Sequence, residues 1–191
     1  MVPLLFSVGH SNHTAEHLLD LLAGPGIEVV ADLRSSPRSV PAPQFDRATL
    51  EHALGERGIG YVWLGASLGG RPEADDLYDA DGHVRYDLVA RTDGFRSGLD
   101  RLLDGASRFT VAMMCAEEDP TACHRRLLVT RVLESEGTAT VAHLRGDGRV
   151  QTEADLPSPP ADHVQPGLFG HDLASWRSPR PVRRPGRPPI A

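Results

Sequence analysis

Short apolar runs alternate with amphipathic stretches over the first 150 residues of the chain. The apolar runs predict buried strands at residues 4–8, 27–31, 61–64, 109–114 and 138–144. Leucines at helical spacing between them predict helices, the first capped by Asn12 or Thr14 and the second by Asp46. This alternation is typical of an α/β fold with a mainly parallel, twisted sheet of about five strands, Rossmann-like, and helices on both faces.

The pattern changes near residue 153, where proline and arginine begin to dominate. We therefore predict an α/β core domain at residues 1–152 and a largely disordered tail at residues 153–191. Within this tail, Gln165, Leu168 and Phe169 fit the Gln-x-x-Leu-Phe peptide with which bacterial DNA-repair and replication proteins dock onto the sliding clamp. The alternative is that Leu168 and Phe169 fold back onto the core.

The charged residues restrict the chemistry that the chain can perform. All 20 basic residues are arginine, which excludes a Schiff-base lysine and the lysine of a standard phosphate loop. Arginine suits bidentate binding of phosphate or carboxylate. The net charge of −6 includes five arginines and no acid at residues 173–191; subtracting these five charges leaves −11 on residues 1–172, a poor generic binder of duplex nucleic acid.

The sequence also indicates where the protein works. No apolar run approaches the roughly 20 residues of a membrane span, and the first residues lack the basic segment of a signal peptide, so we expect a soluble, cytoplasmic protein with no membrane partner. Two cysteines in such a chain argue against a disulfide scaffold and for metal binding, redox chemistry or simple packing.

Four polar segments follow predicted strands and should meet at one end of the sheet. They are G-H-S-N at residues 9–12, D-L-R-S-S-P-R-S at 32–39, a glycine-rich loop with L-G-G-R at 68–71, and C-A-E-E-D-P-T-A-C-H-R-R at 115–126. Because ligands of parallel α/β sheets bind at the carboxyl ends of the strands, these segments predict one shared cleft.

On these four motifs the chain resembles the bacterial and archaeal domain of unknown function 488 family, over about residues 4–150. The resemblance implies the α/β fold but no reaction, since the role of the family is poorly established. It marks as motif positions His10, Asp32, Arg34, Arg38, Cys115, Glu117, Cys123, His124 and Arg125.

The cysteine segment carries the strongest chemical signal. Cys123 is predicted in the first turn of a helix, where free N–H groups and the helix dipole favour a thiolate, and Cys115 ends a strand. Three alternatives remain. The cysteines could simply be buried in the core, they could form a reversible disulfide bridge, or they could bind zinc together with His124 and His10. Seven intervening residues do not match a zinc knuckle, so no metal is assigned. Neither cysteine has an arginine six residues on, which disfavours a cysteine phosphatase.

The remaining residues supply acid–base and anion-binding groups. His10 is the candidate acid or base, with Glu117 as its partner or as the base itself. Asp32 is expected to orient Arg34. The predicted catalytic set is His10, Asp32, Glu117 and Cys123, and the predicted substrate-binding set is Asn12, Arg34, Arg38, Cys115, His124 and Arg125. The alternative for His10 is a structural hydrogen bonder, and for Asp32 and Arg34 an ion pair that holds the loop. A solvated charge is the alternative for Glu117 and Arg125, and it is expected for Arg126.

Together these groups suit a phosphate-bearing substrate. We therefore predict an enzyme of nucleotide or DNA metabolism, with a nucleic acid and the sliding clamp as candidate partners. The alternatives are a non-catalytic anion or nucleotide sensor, and a thiol- or metal-dependent sulfur-handling protein. No Gly-x-Gly-x-x-Gly follows a predicted strand, which argues against a dinucleotide cofactor; the sequence assigns no other cofactor.

Overall fold

A six-stranded sheet forms the centre of the protein, for which a computed structural model describes residues 2–157 and 176–182. The strands are β1 (Leu4–Gly9), β2 (Val29–Asp32), β3 (Gly60–Trp63), β4 (Val111–Cys115), β5 (Thr140–Leu144) and β6 (Val150–Thr152). The first five are parallel, and β6 pairs antiparallel with β5. The α/β class and the mainly parallel sheet are therefore confirmed.

The strand order is β3-β2-β4-β1-β5-β6. The Rossmann fold has the order 3-2-1-4-5-6, so the expected Rossmann-like topology is not confirmed. The difference arises because β4 lies between β1 and β2. The chain leaves β1 towards one edge of the sheet and leaves the adjacent β4 towards the other, and such a reversal opens a crevice beyond the carboxyl ends of the two strands.

Helices cover both faces of this sheet, as predicted. They are α1 (Ala15–Ala23), α2 (Arg47–Glu56), α3 (Gly65–Leu68), α4 (Tyr86–Val89), α5 (Asp93–Ala106) and α6 (Arg131–Ser135), the last preceded without a break by a π-helical segment at Arg125–Thr130. On one face, leucines of α1 and α2 pack against Val30 and Ala112. On the other, α5 and α6 pack against Ala31 and Met113. Neighbouring residues of a buried strand thus serve opposite cores.

The predicted helix caps are confirmed in position. The Thr14 hydroxyl accepts a hydrogen bond from the backbone amide of His17 at the start of α1. Asp46 occupies the N-cap of α2, but its carboxylate accepts instead from the backbone amide of Ser39, at 2.7 Å. Asp46 therefore ties the loop after β2 to α2.

The described part of the C-terminal region packs on the core. We call residues 176–182 the strap. The Trp176 indole donates to the carbonyl of Leu127 at 2.6 Å, and Ser178 exchanges backbone and hydroxyl hydrogen bonds with Val84. The division into core and tail stays a prediction, and Gln165, Leu168 and Phe169 lie outside the described residues. Within the described ranges, no helix combines the length and apolarity that crossing a bilayer requires.

Candidate functional site

A cavity of about 1040 Å³ opens at the carboxyl ends of the parallel strands. It collects residues from all four predicted loops and, in addition, from the strap. The lining residues that carry polar chemistry are His10, Arg34, Ser35, Ser36, Arg38, Ser39, Arg71, Tyr86, Cys115, Glu117, Cys123, His124, Ser178 and Arg180. The expectation that loops distant in sequence meet at one rim therefore agrees with this geometry.

The end of β2 holds Arg34 in a fixed orientation. Asp32 is fully buried, and its carboxylate accepts from the Arg34 Nε at 2.9 Å and from the Arg34 Nη2 at 2.6 Å. The Tyr61 hydroxyl donates to the same carboxylate at 2.8 Å, and the Trp63 indole donates to the Arg34 carbonyl. Asp32 is not among the described lining residues and holds the guanidinium that is; its predicted catalytic role stays a prediction.

His10 lies beside this ion pair. Its Nε2 is 3.2 Å from the Arg34 Nη1, and its Nδ1 is 2.8 Å from the Ser11 carbonyl. Because a guanidinium only donates, Nε2 must accept and Nδ1–H must donate, which is the neutral imidazole. Burial, assisted by the charge of Arg34, lowers the pKa of His10 from 6.5. Ser11 adopts a left-handed backbone with φ of 47°, a strained conformation of the kind found at functional sites.

The two cysteines face each other across the cavity floor. Their Sγ atoms are 2.8 Å apart, and the Cys123 Sγ lies 3.4 Å from the Glu117 Oε2. Burial raises the pKa of the Cys115 thiol well above its ordinary value. Desolvation opposes ionisation of Glu117, but the hydrogen bond from its own backbone amide and the nearby His124 lower its pKa overall. Glu117 is therefore an anion beside a pair of thiols.

His124 connects the cysteine segment to the loop after β2. Its Nε2 is 3.1 Å from the Leu33 carbonyl and therefore donates to it, and its Nδ1 is 3.7 Å from the Cys123 Sγ. Gly70 makes this placement possible: a Cβ there would lie 2.8 Å from the His124 ring. The L-G-G-R segment thus acts as a wall against which the imidazole packs.

Arg125 lies beneath the cysteine segment rather than on the cavity wall. It is fully buried, and it donates to the Cys115 Sγ at 2.7 Å, to the Glu118 carbonyl at 2.6 Å and to the Glu117 carbonyl. Its Nε donates to the Ser7 hydroxyl. With its donors committed in this way, Arg125 positions the loop; the predicted direct contact with substrate stays a prediction.

Arg126 is buried as well, with 3% of its surface exposed, whereas the sequence suggested a solvated charge. Its guanidinium pairs with Glu153 at 2.9 Å. The π-helical segment permits both burials, because its wider turn changes the directions of successive side chains; such turns are frequent at functional sites. The expectation for Arg126 is wrong because Glu153, assigned to the tail, folds back beside it.

The cavity wall is rich in cations. Arg34, Arg38, Arg71 and Arg180 line it, whereas Glu117 is the only acid among the described lining residues. Arg71 and Arg180 were not among the predicted site residues. Arg71 stands in the L-G-G-R motif, which was a signal for it, but nothing local in the sequence indicates that the strap returns to the cavity. Asn12 is exposed and lies apart from the described cavity lining.

Three ligand-type atoms lie close enough together to suggest a metal site. The Sγ atoms of Cys115 and Cys123 and a carboxylate oxygen of Glu117 are within 4.8 Å of one another. Two thiolates bound tetrahedrally to zinc lie about 3.8 Å apart, given Zn–S bonds of about 2.3 Å. The observed 2.8 Å is shorter, so the present arrangement does not fit zinc without movement of a sulfur.

Comparison with known proteins adds a family and no activity. A search of curated proteins and a search of solved structures each found no match. The model of the family described as "Domain of unknown function DUF488" matches residues 14–132, which is more than half of the chain and includes the strand ends of β2 and β4. The chain therefore belongs to the DUF488 family.

Proposed function

We propose that the chain is an enzyme that binds a phosphate-bearing substrate in the cavity at the carboxyl end of the sheet. The observation that carries the proposal is the charge of the wall, where four arginines and one acid surround a single cavity. Guanidinium groups bind phosphate through paired, charge-assisted hydrogen bonds. A volume of about 1040 Å³ is large enough for a ligand of nucleotide size.

The arginines have different tasks in this proposal. Arg34 is fixed by Asp32, whose carboxylate also accepts from the Tyr61 hydroxyl, and its Nη1 donates to His10, so it supplies a preorganised positive charge. Arg38 and Arg71 are exposed on the rim and close onto the ligand. Preorganised charge of this type stabilises an anionic transition state more effectively than mobile charge.

Proton transfer falls to groups around these cations. His10 is the candidate acid or base, a neutral imidazole that lies beside the fixed Arg34 guanidinium at the cavity. Glu117 and Cys123 supply a base and a thiol, with the Glu117 Oε2 and the Cys123 Sγ 3.4 Å apart. Nucleotides and nucleic acid ends are the substrates we favour within this class, since they combine phosphate with a body that fills the remaining volume.

The decisive experiment measures anion binding and conversion on the full chain. We expect isothermal titration to detect inorganic phosphate and nucleoside mono- and diphosphates, and Arg38→Ala to weaken their affinity roughly tenfold by loss of a charge-assisted contact. Arg101→Ala is the matched control, because Arg101 is exposed on α5 and lies outside the described lining. Equal losses in the two variants would mean that binding reflects general charge and not this cavity.

Product analysis of the same mixtures separates the enzyme from its closest alternative. If nucleotides bind and mass spectrometry detects a product that disappears in His10→Gln, the enzyme stands. Binding without conversion would favour an anion or nucleotide sensor, which needs the same arginines and no proton transfer. Docking of Gln165, Leu168 and Phe169 to the sliding clamp stays a prediction, which pull-down with Leu168→Ala plus Phe169→Ala can test.

A further inference from the structure

The two cysteines of the chain stand together at the cavity, and no other cysteine is present in the sequence. Cys115 ends β4, and Cys123 precedes the π-helical segment, with the 3-10 turn Pro120–Ala122 between them. Their Sγ atoms are 2.8 Å apart as free thiols. Anion binding gives no reason for this closeness, because neither sulfur is a cation or a strong hydrogen-bond donor.

The loop that joins them is held from several sides. The Arg125 guanidinium donates to the carbonyls of Glu117 and Glu118, and Glu118 accepts from the Arg145 Nε at 2.9 Å and from the Gly146 amide. The hydrogen bond from the Arg145 guanidinium holds the pKa of Glu118 near 2, so this anchor stays charged at physiological pH. The cysteines are therefore kept adjacent by contacts that do not depend on a bond between them.

Two chemistries are open to such a pair. A disulfide bond is about 2.05 Å long, so the sulfurs need to approach by about 0.8 Å to form it. Zinc needs them to separate by about 1 Å and takes four ligands, whereas three ligand-type atoms are grouped here among the described residues. The disulfide bond needs no ligand beyond the two sulfurs.

We propose that Cys115 and Cys123 form a redox couple that exchanges with small-molecule disulfides entering the cavity. Cys123 is the attacking sulfur, since its proton has an acceptor in the Glu117 carboxylate at 3.4 Å. Cys115 is the resolving sulfur, held behind it by Arg125. This couple shares Cys123 and Glu117 with the proposed anion-binding enzyme, but it needs neither a phosphate-bearing ligand nor the arginines of the cavity wall.

The exchange proceeds in two balanced steps. The Cys123 thiolate attacks one sulfur of the incoming disulfide, breaks its S–S bond and releases one small thiolate, which takes up the proton that Cys123 lost. The Cys115 thiolate then attacks the Cys123 sulfur, breaks the mixed disulfide, forms the Cys115–Cys123 bond and releases the second small thiolate, which takes up the proton that Cys115 lost. The protein loses two hydrogens and two electrons, and the small disulfide gains them as two thiols.

Peptide mapping of the full chain tests the couple directly. Trypsin cleavage after Arg108 and Arg125 gives one peptide, residues 109–125, that contains both cysteines. After incubation with oxidised glutathione we expect this peptide to lose two hydrogen atoms and both alkylatable thiols, and dithiothreitol to restore them. Retention of both thiols at every ratio of oxidised to reduced glutathione would overturn the proposal.

Two variants test which cysteine attacks and which resolves, and a metal analysis tests the zinc alternative. In Cys115→Ser, the resolving sulfur is gone, and we expect a stable mixed disulfide with glutathione on Cys123. Both cysteines are buried, Cys115 fully and Cys123 with 1% exposed. In Cys123→Ser, we expect Cys115 to react at least tenfold more slowly, because desolvation raises the pKa of its thiol well above its ordinary value and less of the attacking thiolate forms. Equal reaction of both single variants, or stoichiometric zinc that must be removed before wild-type oxidation occurs, would contradict the couple. If a variant fails to fold, the wild-type peptide map still decides.

Discussion

At the residue scale, hydrogen bonding assigns the protonation state of His10. The Arg34 Nη1 donates a hydrogen bond to the His10 Nε2, and the His10 Nδ1–H donates to the Ser11 carbonyl. Burial in addition disfavours the imidazolium form of His10. An unfolded histidine has a pKa of about 6.5, so below that pH the unfolded chain binds the proton more readily than the folded one. The contribution of neutral His10 to stability is therefore present above pH 6.5 and declines as the pH falls below it.

We accordingly expect nitrogen-15 NMR to find the Nδ1–H tautomer of His10 at pH 7 and a titration midpoint below 6.5. The His10→Gln variant assigns the resonance by removing it. A midpoint above 6.5 would mean that Asp32 dominates over burial and Arg34, and that His10 is an imidazolium acid in the resting protein.

Residue types and motifs located most of the site. Seven of the predicted site residues line the cavity: His10, Arg34, Arg38, Cys115, Glu117, Cys123 and His124. The motifs did not separate residues that line the cavity from those behind its wall. Asp32 and Arg125 are as polar as their neighbours in sequence, and their full burial depends on partners such as Tyr61 and Ser7 that lie on other strands.

At the scale of elements, the site depends on close contact between the end of β1 and the loop after β4. The His10 amide donates to the Cys115 carbonyl at 3.0 Å, and the Ser11 amide donates to the Ala116 carbonyl at 2.8 Å. Gly9 permits this contact, since a Cβ there would lie 1.8 Å from the Glu117 carbonyl oxygen. The obstacle is backbone, which cannot rotate aside as a side chain can.

Gly9→Ala should therefore destabilise the protein by about 3 kcal/mol or more in urea unfolding, the upper range for overpacking. Gly55→Ala is the matched control, because Gly55 lies in α2 with no heavy atom within 4 Å of an added Cβ. That change should stabilise the protein by roughly 0.5 kcal/mol through helix propensity. Similar stability of the two variants would contradict the tight junction.

Periodicity predicted the strands and helices well because each signal is local. Strand order is not local: β4 pairs with both β1 and β2, more than 75 residues earlier in the chain. The sequences of the five predicted strands do not indicate which strands pair with each other. For this reason the α/β class followed from the sequence, whereas the insertion of β4 between β1 and β2 did not.

At the scale of the whole molecule, the strap joins parts of the chain that the sequence analysis assigned to separate regions. The Arg131 guanidinium lies 4.7 Å from the Trp176 ring centroid, and Arg177 pairs with Asp79 at 2.7 Å. Arg180 then lines the cavity. Composition predicted disorder here because proline and arginine are abundant, but a single tryptophan with a hydrogen bond to Leu127 gives the segment an anchor.

Trp176→Ala should release the strap without unfolding the core. We expect trypsin to cleave after Arg177 roughly tenfold faster, because local opening no longer breaks the indole contacts. Val150→Ala serves as the control, because Val150 is exposed on β6 and is not one of the residues named above in contact with the strap. An unchanged cleavage rate would show that the contacts other than the indole, among them the Arg177–Asp79 pair and the backbone hydrogen bonds of Ser178 and Val182, suffice to hold the strap.

The π-helical segment Arg125–Thr130 has a consequence for any attempt to redesign this protein. A π-helical turn holds more residues than a regular α-helical turn, so tightening this segment would rotate its two leading arginines relative to α6 and away from their partners. A redesign that made this helix regular would therefore remove Arg125 from Cys115 or Arg126 from Glu153 and leave a buried guanidinium without its partner. The irregular turn is thus a component of the site that computational smoothing would remove.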